Sequence, residues 1–273
     1  MPLSSTSPLD IDRIEEARKD AWLGHKIVLF NATASTNDIA WEYAANPSHH
    51  GLCVLAESQY KGRGRRGRLW HSKPAQSILA SILLLDQSIQ AELLTLTAAV
   101  ATAEAIQAFC ELPCQIKWPN DILVDGKKLA GILVEKKTTQ QQHHFVVGIG
   151  INCNQPAEFF DEYDLNMPAT SLAIETGKQI NRNELICRIM EKFEQWLQKA
   201  QACGANNRPV ENPVVQKWLQ LSSLLGQHLT IESDNQRYSG FCRGIDPAEG
   251  LIVQLDSGAV KIFHANHTSI VKT

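Results

Sequence analysis

Arginine and glycine alternate between residues 61 and 70 in a way that neither a helix nor a buried strand accommodates. The segment reads Lys-Gly-Arg-Gly-Arg-Arg-Gly-Arg-Leu-Trp and lies between two apolar runs, 52–56 and 78–85. Glycine lets the backbone adopt positive φ angles, and arginine brings a permanently charged fork of donors that matches phosphate and carboxylate. We therefore predict a flexible cationic loop that encloses an anion.

The positive charge of this loop is a local feature of the chain. The whole protein has 26 Lys+Arg against 29 Asp+Glu, which gives a net charge of −3. Arginine-glycine tails that follow RNA are usually long, repetitive and terminal, whereas this segment is short and internal. A small anionic ligand is therefore favoured, with nucleic-acid contact and a solvated surface loop as the open alternatives.

Length and composition argue against several other classes of protein. A chain of 273 residues can build one large domain and a small one. No apolar run approaches the ~20 residues that a membrane span needs, and the N-terminus lacks the basic-then-apolar pattern of a secretory signal. The seven cysteines are scattered without a Cys-x-x-Cys spacing, which indicates free thiols in a reducing cytoplasm and argues against a zinc site.

Hydrophobic periodicity predicts an α/β domain followed by a small all-β domain. The first nine residues are rich in Ser and Pro, and we expect them to be disordered. The predicted helices lie at 10–23, 35–45, 91–109, 170–176, 183–202 and 213–221. The predicted strands of the larger domain lie at 26–31, 53–58, 77–85, 115–118, 122–124, 129–135 and 145–152. Short strands at 228–231, 238–245, 251–255, 260–264 and 269–271 are typical of a small SH3-type barrel.

A second motif surrounds the turn at Asp125-Gly126, which is a strong hairpin signal. Lys-Trp-Pro-Asn-Asp at 117–121 precedes the turn, and Asn120 and Asp121 stand at a strand junction that is open to a ligand. Lys128 begins the return strand, so its ammonium could reach the same cleft. The alternative is structural: Asn and Asp form turns, and lysine protects exposed strand edges.

A third motif, Ser-Thr-Asn-Asp at 35–38, begins the second predicted helix. Ser35 with Asp38 three residues later resembles a capping box, although Glu or Gln is the usual partner. Helix capping by one of these side chains leaves its neighbours free to face a pocket.

Together, these motifs and Gln59 occur in the order and spacing of the biotin protein ligases, and the chain resembles that family over residues 26–273. The resemblance implies a mixed sheet packed by helices, as in class II-synthetase-like ligases, and a C-terminal SH3-like barrel. It places a tail and short helix at 1–24, the catalytic domain at 25–223 and the barrel at 224–273. The residues before 26 are too few for the DNA-binding repressor module that many members carry, so we expect the short form.

The resemblance also implies roles for individual residues. Contacts to biotin are implied for Ser35, Thr36, Asn37, Gln59, Arg63, Gly64, Arg65, Lys128 and Gly131. Contacts to ATP are implied for Arg65, Arg68, Trp70, Asn120, Asp121, Lys128 and Asn152. The catalytic cations are implied to be Lys128, Arg65 and Arg63, with Mg²⁺ arriving on ATP and no metal bound by the protein itself.

The implied reaction is that of an AMP-forming biotin–[acetyl-CoA-carboxylase] ligase. Biotin and ATP give biotinyl-5′-AMP, and biotin then passes to a lysine of a biotin carboxyl carrier protein from acetyl-CoA carboxylase or a related carboxylase. We expect a cytoplasmic monomer or homodimer without membrane contact or specific DNA binding. The alternatives are a lipoate or octanoate ligase or transferase of the same fold, a nucleic-acid-binding repressor, and an inactive ligand-binding scaffold.

Overall fold

A seven-stranded mixed sheet forms the centre of the computed structural model, which describes residues 7–139, 141–202 and 211–271. Its strands are β1 (Ile27–Phe30), β2 (Cys53–Ala56), β3 (Ser77–Leu84), β4 (Gln115–Lys117), β5 (Asp121–Val124), β6 (Lys127–Thr139) and β7 (Gln142–Asn152). They are ordered β1-β2-β3-β7-β6-β5-β4. β1 and β2 run parallel, and the other neighbours are antiparallel. The sheet is therefore mixed, as predicted.

Helices cover both faces of this sheet. They are α1 (Ile11–Arg18), α2 (Thr36–Glu42), α3 (Ala91–Cys110), α4 (Ala157–Asp161), α5 (Leu172–Thr176), α6 (Arg182–Ala202) and α7 (Pro213–Leu221). α3 and α6 contact the sheet on one face, and α2 contacts β2, β3 and β7 on the other. Because both of its faces are covered, β3 is buried along its whole length.

The sequence reading found no run long and apolar enough to span a membrane, and helix α3 corrects that expectation. It has 20 residues and a mean hydropathy of 1.5, so by length and composition alone it could cross a membrane. Its alanine-rich surface instead packs against α6, α7 and β6, and most of its residues are buried. In this fold α3 is the core helix of the larger domain.

A second, antiparallel sheet follows α7. Its strands are β8 (His228–Ser233), β9 (Gln236–Asp246), β10 (Gly250–Leu255), β11 (Val260–Phe263) and β12 (Thr268–Val271), in the order β11-β10-β9-β8-β12. All five match strands predicted from the sequence. α7 contacts both β4 and β9 through a face that includes the fully buried Trp218. The hydrophobic core is therefore continuous from one sheet to the other.

The N-terminal segment differs from the prediction. α1 ends at Arg18 instead of residue 23. The Arg18 guanidinium donates to the carbonyl of Leu23 at 2.9 and 3.2 Å, which stabilises the non-helical segment that follows. Residues 1–6 of the segment expected to be disordered lie outside the described residues. Ser7 and Leu9 are held in place: Arg182 donates to the Ser7 carbonyl at 2.7 Å, and the Leu9 N–H donates to Glu57.

The β6–β7 hairpin is also longer than predicted. Its pairing continues to Thr139 opposite Gln142, several residues beyond the expected limits at 135 and 145. The outer part is polar and lacks the apolar alternation that sequence reading relies on. Backbone pairing extends the strands here, together with polar contacts such as that between Thr138 Oγ1 and His143 Nδ1 at 3.1 Å.

Candidate active site

A cavity of about 660 Å³ opens on the α2 face of the large sheet. Gly148 and Gly150 of β7 face it, while the alternate residues Ile149 and Ile151 belong to the hydrophobic core on the α3 side. The cavity is lined by every predicted site residue: Ser35, Thr36, Asn37, Gln59, Arg63, Gly64, Arg65, Arg68, Trp70, Asn120, Asp121, Lys128, Gly131 and Asn152. The three sequence motifs therefore meet at one place, and their roles toward ligands stay predictions.

One end of the cavity is built from small polar side chains at the start of α2. Gln59 Oε1 accepts from the Thr36 N–H at 2.6 Å and from the Thr36 hydroxyl at 3.0 Å. Ser81 Oγ lies 2.7 Å from Thr36 Oγ1 and 2.5 Å from Asn37 Oδ1. Within the described residues, the buried Asn37 Nδ2 has no hydrogen-bond partner. A buried donor without a partner is costly, and a ligand acceptor would relieve that cost.

The capping box predicted at this helix start is wrong. Ser35 is the N-cap residue of α2, but its side chain makes no capping hydrogen bond. It is buried and lines the cavity instead. The Asp38 carboxylate is bound by Arg63 and so does not return to the helix end.

Arg63 fastens the start of the cationic loop, which we define as residues 62–70. Its guanidinium donates to both oxygens of Asp38, at 2.8 and 2.7 Å, and to Glu135 Oε1 at 2.9 Å. The hydrogen bonds from Arg63 hold the pKa of the Asp38 carboxyl below its usual range, and these contacts raise the pKa of Arg63. Because two carboxylates offset its charge, Arg63 anchors the loop against α2 and β6.

Arg65 has a different environment from Arg63. In the part of the chain that the structure describes, its side chain makes one hydrogen bond, to Asn266 Oδ1 at 3.5 Å. Burial, and then the neighbouring Arg66 charge, lower the pKa of Arg65. A desolvated cation without a bound carboxylate is unfavourable, and an anionic ligand would stabilise it. The geometry makes Arg65 a better candidate for phosphate contact than Arg63.

Trp70 covers the middle of the sheet where two glycines leave room for it. A Cβ atom at Gly150 would lie 2.7 Å from the Trp70 ring, and one at Gly131 would lie 3.2 Å from it. The Lys128 ammonium stands 5.7 Å from the centre of the same ring and 2.6 Å from Asp121 Oδ1. Lysine, carboxylate and indole thus form one contiguous wall of the cavity.

Two predicted nucleotide-side residues hold backbone segments in place. Asn120 Nδ2 donates to the carbonyl of Ile132 at 2.7 Å. Asn152 Nδ2 donates to the carbonyl of Thr170 at 3.0 Å, and its Oδ1 accepts from Gln155 at 3.1 Å. Their amide groups therefore shape the cavity, whatever they also contribute to a ligand.

Sequence reasoning missed part of this wall. Gly148 was available as a signal, since Gly-Ile-Gly in a strand places two bare positions on one face, and a Cβ there would lie 2.5 Å from Asn37 Oδ1. Ser81 was a further signal, as a hydroxyl within an apolar strand. The aromatic residues around α4 also line this wall, but no motif in the sequence predicted them. Tyr163 stacks on His71 with ring centres 3.8 Å apart, and Phe159 packs beside Tyr163.

Comparisons with known proteins show which family the chain is similar to. The sequence model of the biotin/lipoate A/B protein ligase family matches residues 29–152. The bifunctional ligase/repressor BirA of Bacillus subtilis (strain 168) is 34% identical over 251 residues, which cover 89% of this chain and 74% of that relative. The biotin–[acetyl-CoA-carboxylase] ligase of Paracoccus denitrificans is 32% identical over 231 residues, covering 83% of this chain and 93% of that one.

A solved structure gives the same answer for the fold. The biotin protein ligase from Aquifex aeolicus in complex with biotin and ATP superimposes with a TM-score of 0.74 at 25% sequence identity. The match covers 91% of this chain and 99% of the Aquifex chain, so it includes both sheets. Because the family model matches its sequence, its relatives align over most of their length and its fold is shared, this chain belongs to the biotin protein ligases of the biotin/lipoate A/B protein ligase family.

Proposed function

We propose that this chain is an ATP-dependent biotin–protein ligase, which forms biotinyl-5′-AMP and transfers biotin to a lysine of a biotin carboxyl carrier protein. The observation that carries the proposal is the two-ended cavity. A small polar pocket lies at one end, where Asn37 Nδ2 has no hydrogen-bond partner among the described residues, and the cations Arg65 and Lys128 lie at the other. A ligand with a polar neutral head and an anionic tail matches both ends.

The polar end suits the ureido ring of biotin. That ring has one strong acceptor oxygen and two N–H donors, and amide and hydroxyl side chains can complement both kinds of group. Asn37 Nδ2, which bonds to none of the described residues, can donate to the ureido oxygen. Ser35 and Thr36 offer hydroxyl oxygens that can accept from the ring N–H groups. The Ser81 hydroxyl holds Thr36 and Asn37 in position for this contact.

The cationic end suits the first chemical step. An oxygen of the biotin carboxylate attacks the α-phosphorus of ATP, and the bond to the pyrophosphate oxygen breaks as pyrophosphate leaves. Two anions must approach, and negative charge increases on the phosphorus oxygens. Lys128 and Arg65 are positioned cations, which stabilise such a transition state more than the ground state. Trp70 completes the wall beside Lys128.

Mg²⁺ is expected to enter this site with ATP. Among the described residues no group of three or more His, Cys, Asp or Glu side chains could hold a metal ion alone. The cavity lining includes the carboxylates Asp121 and Asp164, which fits a cation held mainly by substrate phosphates. When bound, Mg²⁺ would offset phosphate charge, while Lys128 and Arg65 orient the reacting groups.

The second step needs a dry site with access for an amine. The carrier lysine attacks the carbonyl of the mixed anhydride, the bond to AMP breaks, and an amide forms as a proton leaves the nitrogen. Water would hydrolyse the anhydride, so the cationic loop and Trp70 must cover it until the carrier arrives. We infer that the reaction takes place in the cytoplasm, where free thiols such as Cys53 and Cys153 remain reduced.

We expect no specific DNA binding by this chain. The net charge is −3, and Arg63 in the cationic loop is committed to two carboxylates. Binding to DNA depends on clustered cations that neutralise phosphates. A gel-shift experiment with operator-like duplex, biotin and ATP at physiological salt tests this, and a discrete band at nanomolar protein would refute it.

ATP–pyrophosphate exchange distinguishes the proposed function from its closest alternative. Biotin, lipoate and octanoate are offered separately, and we expect exchange with biotin alone. Transfer is then measured on a purified carrier domain and on the same domain with its target lysine changed to arginine. Exchange with lipoate but not biotin would assign the chain to a lipoate ligase instead.

A further inference from the structure

Arg66 makes contacts that the proposed chemistry does not use. It has φ 57° and ψ 36°, a left-handed conformation that is disfavoured for residues with a Cβ atom. The next residue, Gly67, has φ 71° and adopts the same region without a steric cost. An arginine held in this conformation needs surroundings that fix it, and such positions are common in ligand clamps.

The fixing contacts come from the C-terminal sheet. Nη2 of Arg66 donates to the carbonyls of Thr268, Asn266 and Ala265 at 2.7, 3.1 and 3.3 Å. These carbonyls belong to the turn between β11 and β12 and to the first residue of β12. One side chain thus joins the tip of the cationic loop to a segment 199 to 202 residues further along the chain.

The acceptors are neutral, and this distinguishes Arg66 from Arg63. Two carboxylates offset the charge of Arg63, whereas backbone carbonyls hold Arg66 without cancelling its charge. The loop tip is therefore fastened while the local field remains positive. A charged donor also makes stronger hydrogen bonds than a neutral one.

The same turn contributes to the wall of the cavity. Thr268, Ser269 and Ile270 line it beside the cationic loop, and Arg65 reaches Asn266 in the same turn. We propose that Arg66 is a positioning residue that latches the cationic loop onto the C-terminal sheet and thereby retains the acyl-adenylate. The inference rests on the proposed function, because the retained molecule is the intermediate of that reaction.

Release of the adenylate from the full-length protein tests the latch. The parent, Arg66→Gly and Arg66→Lys are loaded with biotin and ATP, separated from free ligand, and followed for biotinyl-AMP released with time. Glycine permits the left-handed backbone but removes the donor, whereas lysine retains a charged donor. Arg243→Gly is the control, because Arg243 bonds Gln254 within the C-terminal sheet, outside the cavity lining.

We expect Arg66→Gly to release the adenylate about tenfold faster or more, as the loss of hydrogen bonds from a charged donor implies. Arg66→Lys should lie between Gly and parent, and Arg243→Gly should match the parent. Melting temperatures of the ligand-free Arg66→Gly and Arg243→Gly proteins should agree, because each loses the hydrogen bonds of one exposed arginine, and this separates a latch from a general stabilising role. Equal release from the parent and Arg66→Gly would overturn this inference alone. A parent that forms no adenylate with biotin would overturn the proposed function and this inference with it.

Discussion

The ammonium group of Lys128 lies 2.6 Å from Oδ1 of Asp121, and both groups line the cavity. Lys128 pairs with Leu123 in the β5–β6 hairpin, and Asp121 lies two residues before Leu123 on β5, so the long lysine side chain reaches diagonally across the hairpin to the carboxylate. In the ligand-free protein the carboxylate offsets the lysine charge. A phosphate that enters the cavity can take over that contact.

Lys128→Ala is expected to lower the kcat of pyrophosphate exchange by roughly 10² to 10³-fold, the usual cost of losing one preorganised donor to the transition state. The adjacent Lys127→Ala is the matched control, since Lys127 pairs with Glu175 at 3.3 Å and is absent from the cavity lining. Melting temperatures show whether both variants fold. Near-normal exchange by Lys128→Ala would show that Lys128 forms an ion pair with Asp121 but does not contribute to catalysis.

Alanine substitutions at the two glycines beneath Trp70 should disturb the indole to different degrees. Gly150→Ala places a Cβ 2.7 Å from the indole, which must then move, whereas Gly131→Ala places one at 3.2 Å, where a small adjustment suffices. We expect Gly150→Ala to raise the KM for ATP severalfold more than Gly131→Ala does. Steady-state exchange at varied ATP measures this. The reverse order would show that the indole position is not what these glycines protect.

Arg65→Gly is expected to label bystander proteins with biotin. Within residues 7–139, 141–202 and 211–271, Arg65 makes a single side-chain hydrogen bond, and it faces the cavity, so its loss weakens the cover over the adenylate more than it weakens the fold. Released biotinyl-AMP then acylates exposed lysines. Labelling of albumin is compared for parent, Arg65→Lys and Arg65→Gly at equal carrier-directed activity. Equal labelling by all three would argue against a covering role.

The buried thiols predict an alkaline limit to stability. Burial raises the pKa of Cys53 and of Cys153 from 9.0 to about 12. Between these values the unfolded chain loses thiol protons that the folded chain keeps, so unfolding releases protons and rising pH favours it. The stabilising effect is complete below pH 9 and is lost toward pH 12.

Urea midpoints at pH 8, 9 and 10 measure that effect, and the midpoint should fall as pH rises. The variant with Cys53→Ala and Cys153→Ala should lose less stability over the same range, although it starts lower because it has cavities. In the native parent at pH 8, both thiols should resist maleimide, as mapped by peptide mass spectrometry. Rapid native labelling of either residue would contradict the burial argument.

The arrangement of the site could be anticipated because its residues stand in short, local motifs. The start of α2, the arginine-glycine run and the Asp125-Gly126 hairpin each have a turn or a helix start that the sequence specifies. The three motifs lie in a helix start, a loop and a hairpin on the same face of the large sheet, and they therefore meet at one cavity. The two sheets could be anticipated from continuous apolar runs, as in β2 and β3, and from alternation in the C-terminal strands, as in β8.

The partners of the charged groups could not be anticipated. Whether Arg63 meets a phosphate or the carboxylates of Asp38 and Glu135 depends on distances between segments far apart in the chain. The hydrogen bond from Arg182 to the Ser7 carbonyl also joins segments that are far apart in the chain, and the Ser- and Pro-rich composition of the N-terminus does not predict it. Similarly, the polar end of the β6–β7 hairpin is held by backbone pairing and by a polar contact between Thr138 and His143, neither of which gives an apolar alternation in the sequence.

Trp70 gives the protein an intrinsic optical reporter. Its indole lies against bare glycine backbone and near the Lys128 ammonium, and its Nε1 has no hydrogen-bond partner among the described residues. Any ligand that displaces this lysine or bonds this nitrogen changes the electric field on the chromophore. Trp118 also lines the cavity, whereas Trp218, fully buried in α7, does not. Occupancy of the cavity should therefore be readable from the native fluorescence of the unlabelled protein, and Trp70→Phe should remove the part of that signal that Trp118 does not supply.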